Sequence, residues 1–444
     1  MKALKVCFAL ILCFASLLSL IACKAEPEVP AGPVPETTEA KDYSDLAGIV
    51  ADPKGWYEDF MALPIANDQM TEQELRQLAC DAFKANMTFQ WTPNAPITYT
   101  YELLDRYSDV SLPTGIAYSG LCYATGVKNA TNGTLYKILN YYDPETGALD
   151  IEAMGDNMLN IISSACANGA MQGWNRVSPD YGVQSMNCSI HETNVVTVGP
   201  YTYEPHTYNY NWTSRTASNE IIAANGNEVM YESLALTHMA DGLYSSSSWH
   251  MMMVSQDPVV VRLPDGKIDP NESYLHVHEQ GTGGTKTDNY NYTQDNGVVL
   301  RPLGTIDNKF TFKELIDKGY IPFTLKEFTG EATVKAGEAW LGKENYKIEN
   351  GQDMTVDELF GKSICTNYSL CTVQVQVKAP DGTQLVCYNP HVNTGPSTKS
   401  APLNSALRLE RLEPYADGKN TIHIYAQLSN GEMLEAYSTI LKID

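Results

Sequence analysis

The chain has few basic residues for its length. It carries 30 Lys and Arg against 53 Asp and Glu among 444 residues, for a formal net charge of −23 at pH 7. A surplus of negative charge repels phosphate groups, so bulk charge argues against a nucleic-acid partner and against acidic lipid headgroups. The composition fits a soluble protein at a cell surface.

Cysteine is also sparse. Seven cysteines follow Cys23, and they are too few and too widely spaced to form the disulfide framework of a small secreted domain. They are Cys80, Cys122, Cys166, Cys188, Cys365, Cys371 and Cys387. An odd number outside the cytosol leaves at least one thiol unpaired, and the sequence does not fix the pairing. No CxxC pair occurs, which gives a structural zinc site little support. We expect no metal and no cofactor.

The hydrophobic run at the N-terminus is short. It extends from Val6 to Leu18 after Lys2 and Lys5, which is less than the roughly 20 residues of a membrane span. Two lysines, a short apolar run and then Leu-Ile-Ala-Cys at 20–23 occur in the order typical of a secretory signal. The quartet resembles a bacterial lipobox, which implies a lipid on Cys23 that holds the protein to a membrane, in the cell envelope and facing outside the cytoplasm. The alternative is an ordinary signal peptide with a coincidental cysteine.

Composition divides the rest of the chain. Residues 1–22 are predicted to be the signal peptide, and the proline-rich residues 23–42 a disordered tether. Residues 43–330 mix helical and strand patterns and predict an α+β domain. Residues 331–444 carry period-two runs joined by turn signals, which predict a small Ig-like β-sandwich.

Local patterns within residues 43–330 predict individual elements. Thr71 and Glu74 have capping-box spacing and open a helix over residues 71–87. The run NEVMYESLALTHMADG predicts an amphipathic helix that ends at Gly242. Three short apolar runs separated by Asp-Pro and Pro-Asp-Gly turns follow, and they indicate an antiparallel meander.

Cys166 lies in the small-residue stretch IISSACANGAMQGW, and two interpretations remain open. If the helix breaks near Ile162 and restarts with Ser164 as N-cap, Cys166 falls in a first helical turn, where the dipole favours a thiolate. The following glycines and alanines would then let a substrate backbone or a facing strand approach closely. If the helix is continuous, Cys166 is a buried core residue.

A thiolate needs a basic partner, and His250 stands at the head of an apolar run. Glu279 or Gln280, at the end of the next predicted strand, could accept a hydrogen bond from His250 and fix its tautomer. His276 and His278 would share a face of that strand, which also permits a metal site, although only the remote cysteine or a carboxylate could complete it.

Together these residues resemble the NlpC/P60 superfamily of papain-like cysteine peptidases. The resemblance covers roughly residues 100–285 and rests on a Tyr-Ser-Gly loop at 118–120, Cys166 within SACANGAMQGW, Asp-Gly-Leu at 241–243, and His250 before a polar third residue. It departs from the family where Ala165-Cys166-Ala167-Asn168 replaces Asp-Cys-Ser-Gly.

The resemblance implies a papain-like domain and a cysteine peptidase or amidase that acts on peptidoglycan peptides. Cys166 would be the nucleophile, His250 the general base, and Glu279, or else Gln280 or His278, the third residue. The Cys166 N–H and the Tyr118 hydroxyl would hold the oxyanion.

The alternative is a non-catalytic lipoprotein that holds a wall or host glycan or protein. The tyrosine-rich residues 202–212 are its best candidate surface, although such a loop more commonly covers the core. The sequence does not indicate the oligomeric state.

Overall fold

A computed structural model describes most of the chain beyond the predicted tether. The described residues are 52–103, 106–124, 135–179, 194–202, 216–281, 292–293, 299–389, 398–403 and 409–442. The predicted signal peptide, Cys23, the tether, Cys188 and most of the tyrosine-rich segment lie outside them. Among the described residues, no helix is both long and apolar enough to cross a membrane.

The protein is of mixed α+β class with several sheets, as the sequence predicts. The α-helices are α1 Pro53–Met61, α2 Glu72–Thr88, α3 Leu135–Ile138, α4 Ile151–Met154, α5 Met158–Ile162, α6 Cys166–Trp174, α7 Ala217–Asn225, α8 Asn227–Ala235, α9 Phe312–Asp317, α10 Val356–Phe360 and α11 Leu409–Leu412. Short 3₁₀ turns occupy Leu139–Tyr141, Gly155–Asn157, Lys326–Phe328 and Glu413–Tyr415.

The strands are short in the first half of the chain and longer near its end. They are β1 Gln90–Pro93, β2 Ile97–Leu103, β3 Arg106–Leu112, β4 Ala117–Ser119, β5 Cys122–Tyr123, β6 Tyr142–Asp143, β7 Ala148–Leu149, β8 Ser163–Ser164, β9 Val195–Thr197, β10 Gly242–Ser245, β11 His250–Val259, β12 Tyr274–Glu279, β13 Tyr292–Thr293, β14 Val299–Pro302, β15 Thr305–Thr311, β16 Ile321–Leu325, β17 Ala339–Lys343, β18 Tyr346–Lys347, β19 Ser363–Thr366, β20 Leu370–Lys378, β21 Gln384–Tyr388, β22 Ser400–Pro402, β23 Asp417–Leu428 and β24 Met433–Lys442.

Capping chemistry sets the start of α2. The Thr71 side chain accepts from the Glu74 N–H, and the Glu74 carboxylate accepts from the Thr71 N–H at 2.8 Å, so two backbone donors of the first turn are satisfied. The predicted helix over residues 71–87 is confirmed. Its buried face packs against α6.

The predicted helix over residues 227–242 is too long. It ends at Ala235, and Gly242 begins strand β10 instead. A Cβ on Gly242 would lie 2.1 Å from Cζ of Phe323, so the glycine lets the two strands of this pair approach closely. The sequence signal that indicated a helix stop therefore marks a crowded strand.

A six-stranded antiparallel sheet carries the centre of the chain. Its order is β15-β12-β11-β10-β16-β9, and all five pairings are antiparallel. The meander predicted after residue 242 is confirmed in part: β10, β11 and β12 are successive antiparallel neighbours, but Asp257-Pro258, expected as a turn, lies within β11. Apolar residues of this sheet, of α2 and α6, and of the surrounding helices build one core, which includes Phe83, Trp174 and Met253.

A second sheet, of mixed direction, lies nearer the N-terminus with the order β13-β14-β4-β1-β7-β6. Its core is rich in aromatic rings, including Trp56, Phe89, Trp91 and Tyr118. The hairpin β2–β3 and the two-residue parallel pair β5–β8 complete this part of the chain. The pair β5–β8 connects this region to the start of α6.

The last hundred residues form two four-stranded antiparallel sheets, β18-β17-β19-β22 and β21-β20-β23-β24. Apolar residues from both sheets share one core. Residues Val50–Asp444 belong to one compact unit, and Arg176, just past α6, donates to the carbonyl of Asn430 at 3.0 Å. The boundary between residues 330 and 331 and the Ig-like topology stay predictions.

Candidate active site

Cys166 is the first residue of helix α6. The preceding helix ends at Ile162 because Ser163 and Ser164 leave the helical path and pair in parallel with Cys122 and Tyr123. Of the two interpretations left open, the structure has the break after Ile162, but Ser164 is not the N-cap. Ala165, extended at φ −101° and ψ 170°, takes that position without a side-chain hydrogen bond. The first-turn N–H groups of α6 therefore lie next to the thiol.

The small residues after Cys166 admit a facing strand, since a Cβ on Gly173 would lie 2.9 Å from Cε of Met253 in β11, and they also admit a neighbouring helix. We expected them to admit a substrate backbone or a facing strand. A Cβ on Gly173 would lie 2.5 Å from the Ala79 carbonyl oxygen, and one on Gly169 would lie 2.9 Å from Cε2 of Phe83. Both neighbours belong to α2, so these glycines allow the two helices to pack closely.

His250 is the first residue of β11, directly after a backbone position with positive φ. Trp249 has a φ of 49°, which is uncommon for a large side chain. The Trp249 carbonyl lies 3.6 Å from the sulfur of Cys166 and accepts a hydrogen bond from the thiol. Trp249, whose backbone is constrained, thus separates the serines at 245–248 from β11 and contacts Cys166.

Strand register brings Glu279 to His250. Met253 of β11 pairs with His278 of β12. Since alternate residues point to opposite faces, His250 lies on the face opposite Met253, and Glu279 lies on the face opposite His278. His250 and Glu279 therefore share a face, and Nε2 of His250 lies 2.8 Å from Oε2 of Glu279. Both side chains are about one-sixth exposed, at 16% and 15%.

The Cys166 sulfur lies on the side of the His250 ring that is opposite Glu279. Cys166 and His250 interact electrostatically, since each lies close enough to shift the pKa of the other. Because Nε2 faces Glu279, Nδ1 is the ring nitrogen left for the thiol. Cys166 itself is buried, with 1% of its surface exposed.

The electrostatics favour an ion pair. Burial opposes ionisation of Cys166, but the positive charge of His250, with the backbone N–H groups of Met251 and Ala167, lowers the pKa of the thiol below its ordinary value. Burial likewise opposes protonation of His250. The Tyr320 phenol, the Cys166 sulfur and the Glu279 carboxylate nevertheless raise its pKa well above the ordinary value. These contacts favour a thiolate beside an imidazolium, whereas the hydrogen bond to the Trp249 carbonyl is made only by the protonated thiol.

A fourth residue, Asn308, was not predicted from the sequence. Its Nδ2 donates to Oε1 of Glu279 at 2.5 Å, while Oε2 of the same carboxylate meets His250. Asn308 belongs to β15, the strand beyond β12. Its neighbour Asp307 has a φ of 50°, so a second constrained backbone position adjoins the site. No local motif in this segment distinguishes the asparagine.

The two alternative third residues have other contacts. His278 is buried, and its Nδ1 accepts from the Asp307 N–H at 3.2 Å. Gln280 is also buried, and its Nε2 donates to the Leu121 carbonyl at 2.6 Å, which joins β12 to the segment before β5. Of the three candidates, Glu279 is the residue in contact with His250.

Tyr118 has a different hydrogen bond from the expected one. Its hydroxyl donates to the Pro113 carbonyl at 3.1 Å, and its ring packs on Trp91 with centroids 4.9 Å apart. The side chain is fully buried in the aromatic core. The oxyanion role expected for this hydroxyl would require it to leave Pro113. The Cys166 N–H, at the start of α6, is the donor that the helix position itself supplies.

Asp241, of the quoted Asp-Gly-Leu, is a structural residue. Its Oδ1 lies 2.6 Å from Nη1 of the buried Arg76, and its Oδ2 accepts from the His238 N–H at 2.8 Å. Burial raises the pKa of this carboxyl in spite of the arginine. Asp241 therefore fastens the start of β10 to α2.

The described cysteines form no disulfide with one another, and Cys166 is a free thiol. Cys188 lies outside the described residues. Within the part of the chain that the structure describes, no cluster of three His, Cys, Asp or Glu side chains could hold a metal ion. No protein-family model matches the chain, and neither does any curated protein sequence. The geometry of the site is therefore the main guide to function.

Proposed function

We propose that the protein is a papain-like cysteine peptidase or amidase of the NlpC/P60 type, with Cys166 as nucleophile, His250 as general base and acid, and Glu279 as the residue that orients His250. One observation carries this proposal. A cysteine at a helix start and a histidine shift each other's pKa, and a carboxylate lies 2.8 Å from Nε2 of that histidine, which is the set of groups found in a catalytic triad.

The proposed reaction uses these groups in sequence. The Cys166 thiolate attacks an amide carbonyl carbon, and the electron pair of the C=O bond moves to the oxygen, near the Cys166 N–H. The C–N bond then breaks as the His250 imidazolium protonates the leaving amine, which leaves a thioester on Cys166. Neutral His250 next takes a proton from water, the water oxygen attacks the thioester, and the carboxylic acid departs as the thiolate is restored.

The proposed substrate is a peptide of the bacterial cell wall. This part rests on the resemblance and on the lipobox-like Leu-Ile-Ala-Cys at 20–23, since a lipid on Cys23 would hold the enzyme in the cell envelope, outside the cytoplasm. We further propose that the two C-terminal sheets are a β-sandwich attached to this enzyme. Their shared core supports that view.

A second candidate function is a non-catalytic binding lipoprotein on the same scaffold. The burial of Cys166 favours it, because a substrate carbonyl must reach a sulfur of which 1% is exposed. The two candidates differ in whether Cys166 reacts in the folded protein.

The first test is iodoacetamide labelling of each cysteine as a function of pH, followed by peptide mapping. At pH 6 an ordinary thiol is almost wholly protonated, whereas a lowered pKa gives Cys166 a larger thiolate fraction than the other cysteines. We expect selective labelling of Cys166 near pH 6. His250→Ala should slow it by about two orders of magnitude, because burial then raises the thiol pKa without an opposing charge.

Two internal controls and one matched variant accompany this test. The exposed Cys387, whose pKa is raised by partial burial, should label only at higher pH in every variant. Burial raises the pKa of Cys80 to about 12, so this thiol should label only after unfolding. His276→Ala removes a half-buried histidine from β12 and should change nothing. If native Cys166 reacts no faster than Cys80, the peptidase proposal fails and the binding candidate takes its place.

A further inference from the structure

A pocket adjoins the end of α6 that is remote from Cys166. It lies where α6 and α3 meet the C-terminal sheet at β20, and its cavity volume is about 30 Å³. The side chains that matter here are Phe60, Tyr136, Lys137, Arg176, Ser369 and Cys371. None of the described residues that line the pocket is acidic, although the chain as a whole has a large excess of acids.

Two buried cations line this pocket. Arg176 is 2% exposed and Lys137 is 8% exposed. Burial lowers the pKa of both groups, but a guanidinium stays protonated in proteins, so Arg176 brings a positive charge into the interior. A buried charge is costly unless it is paired and hydrogen-bonded.

The protein satisfies Arg176 only in part. Its Nη1 donates to the Asn430 carbonyl at 3.0 Å, and the Tyr136 hydroxyl shares a further hydrogen bond with the guanidinium. The guanidinium carbon lies 5.1 Å from the ring centroids of both Phe60 and Tyr136. Such rings offset part of the lost hydration. Nη2 of Arg176, however, is buried and has no hydrogen-bond acceptor among the described residues.

The hydroxyl groups in the wall do not supply that acceptor. Ser369 and Ser429 both direct their hydroxyls to Oδ1 of Asn175, at 3.4 and 3.3 Å. The Asn175 amide nitrogen donates to the Met171 carbonyl. Both serine hydroxyls therefore donate to Asn175, and Arg176, whose Nη2 has no acceptor among the described residues, is one of the residues that line the pocket.

We propose that this pocket binds a small carboxylate, whose oxygens accept from Nη2 of Arg176 and pair with the Lys137 ammonium. The volume is roughly that of two water positions, which suits a carboxyl group better than a tetrahedral phosphate. An arginine paired with a carboxylate oxygen forms a charge-assisted hydrogen bond. The ligand would join α6 to the C-terminal sheet, and the proposal does not depend on the reactivity of Cys166.

The test is thermal unfolding of the purified protein at pH 7 in sodium acetate and in sodium chloride of equal ionic strength. Acetate should raise the unfolding midpoint in a saturable manner beyond the chloride effect, because a ligand of the native state stabilises it by mass action. Lys137→Met, which keeps the buried chain but removes the charge, should weaken acetate binding at least tenfold. Arg176→Lys should do the same.

Controls separate this site from other effects of salt. Lys419→Met removes an exposed lysine from the same C-terminal region and should leave the acetate effect unchanged. Cys166→Ala should also leave it unchanged, so failure of the peptidase proposal and failure of this one are distinguishable. If Arg176→Lys does not fold, Lys137→Met decides alone.

Three outcomes would overturn the proposal. Acetate and chloride could shift the wild-type midpoint equally, which would exclude a specific site. Lys137→Met could bind acetate as tightly as wild type, which would place the ligand elsewhere. Sodium phosphate could stabilise where acetate does not, which would exclude the carboxylate class.

Discussion

His250 and His278 lie on neighbouring strands of one sheet, and each faces a carboxylate, yet their pKa values shift in opposite directions. The pKa of His250 is raised well above the ordinary value, whereas that of His278 is lowered to about 4. Burial is the largest influence on both and opposes the charged ring in each case. The partners therefore decide the difference.

The contacts explain the contrast. Nε2 of His250 lies 2.8 Å from Glu279, and its other side meets the Cys166 sulfur, so two groups favour the imidazolium. His278 lies 4.0 Å from the Asp307 carboxylate, and its Nδ1 accepts from the Asp307 N–H. A hydrogen bond accepted by the ring nitrogen requires the neutral ring. Direct contact with a carboxylate favours the charged ring of His250, whereas acceptance of a backbone N–H favours the neutral ring of His278.

The largest expected effect comes from removal of the carboxylate that distinguishes His250. Glu279→Ala deletes a charge-assisted hydrogen bond worth about 2 kcal/mol, so the iodoacetamide rate of Cys166 at pH 6 should fall about thirtyfold. The midpoint of the labelling profile should move to higher pH, because the imidazolium that lowers the thiol pKa becomes less stable.

Glu272→Ala is the matched control, since this exposed glutamate precedes the same strand. An unchanged midpoint in Glu279→Ala would mean that the carboxylate does not support the ion pair. The contrast between the two histidines would then need another cause.

The next effect concerns stability and tests the neutral state of His278. Its pKa is lowered in the folded protein, so the unfolded chain binds the extra proton between about pH 6.5 and 4, and stability is lost as the pH falls through that window. For a folded pKa near 4, the loss between pH 7 and pH 5 is about 2 kcal/mol.

His278→Gln keeps an acceptor for the Asp307 N–H but cannot be protonated, so this part of the pH dependence should disappear. Urea unfolding at pH 7 and pH 5 measures it, with His276→Gln as the control. Equal pH dependence in wild type and His278→Gln would show that His278 is not held neutral.

The sequence predicts local features of this protein well because their causes are local. The capping box of Thr71 and Glu74 depends on residues three positions apart. The break of the helix before Cys166 stayed open in the sequence, because it depends on the pairing of Ser163 and Ser164 with the distant Cys122 and Tyr123. Gly242 was misinterpreted because its cause, the ring of Phe323, is distant in the chain. The same limit applies to the site, since three candidate third residues could be separated only by the pairing of Met253 with His278.

Asn308 is the clearest case of what the sequence alone could not provide. Its link to Glu279 depends on the pairing of β15 with β12, which brings together residues from two separate strands. We infer that it is a positioning residue, because its amide holds Oε1 of the carboxylate so that Oε2 faces His250.

Asn308→Ala should therefore have the smallest effect of the series. Loss of one hydrogen bond to a charged group that keeps its partner costs about 1 kcal/mol, so labelling of Cys166 at pH 6 should slow about fivefold, with a small upward shift of the pH midpoint. Lys309→Ala is the control, since this adjacent lysine lies over the Tyr274 ring instead. A loss of folding stability with an unchanged pH midpoint would assign Asn308 to packing alone. A shifted midpoint with unchanged stability would instead show that the protonation of His250 depends on how firmly its carboxylate is held. His278 lacks such a close carboxylate contact, since Asp307 lies 4.0 Å away.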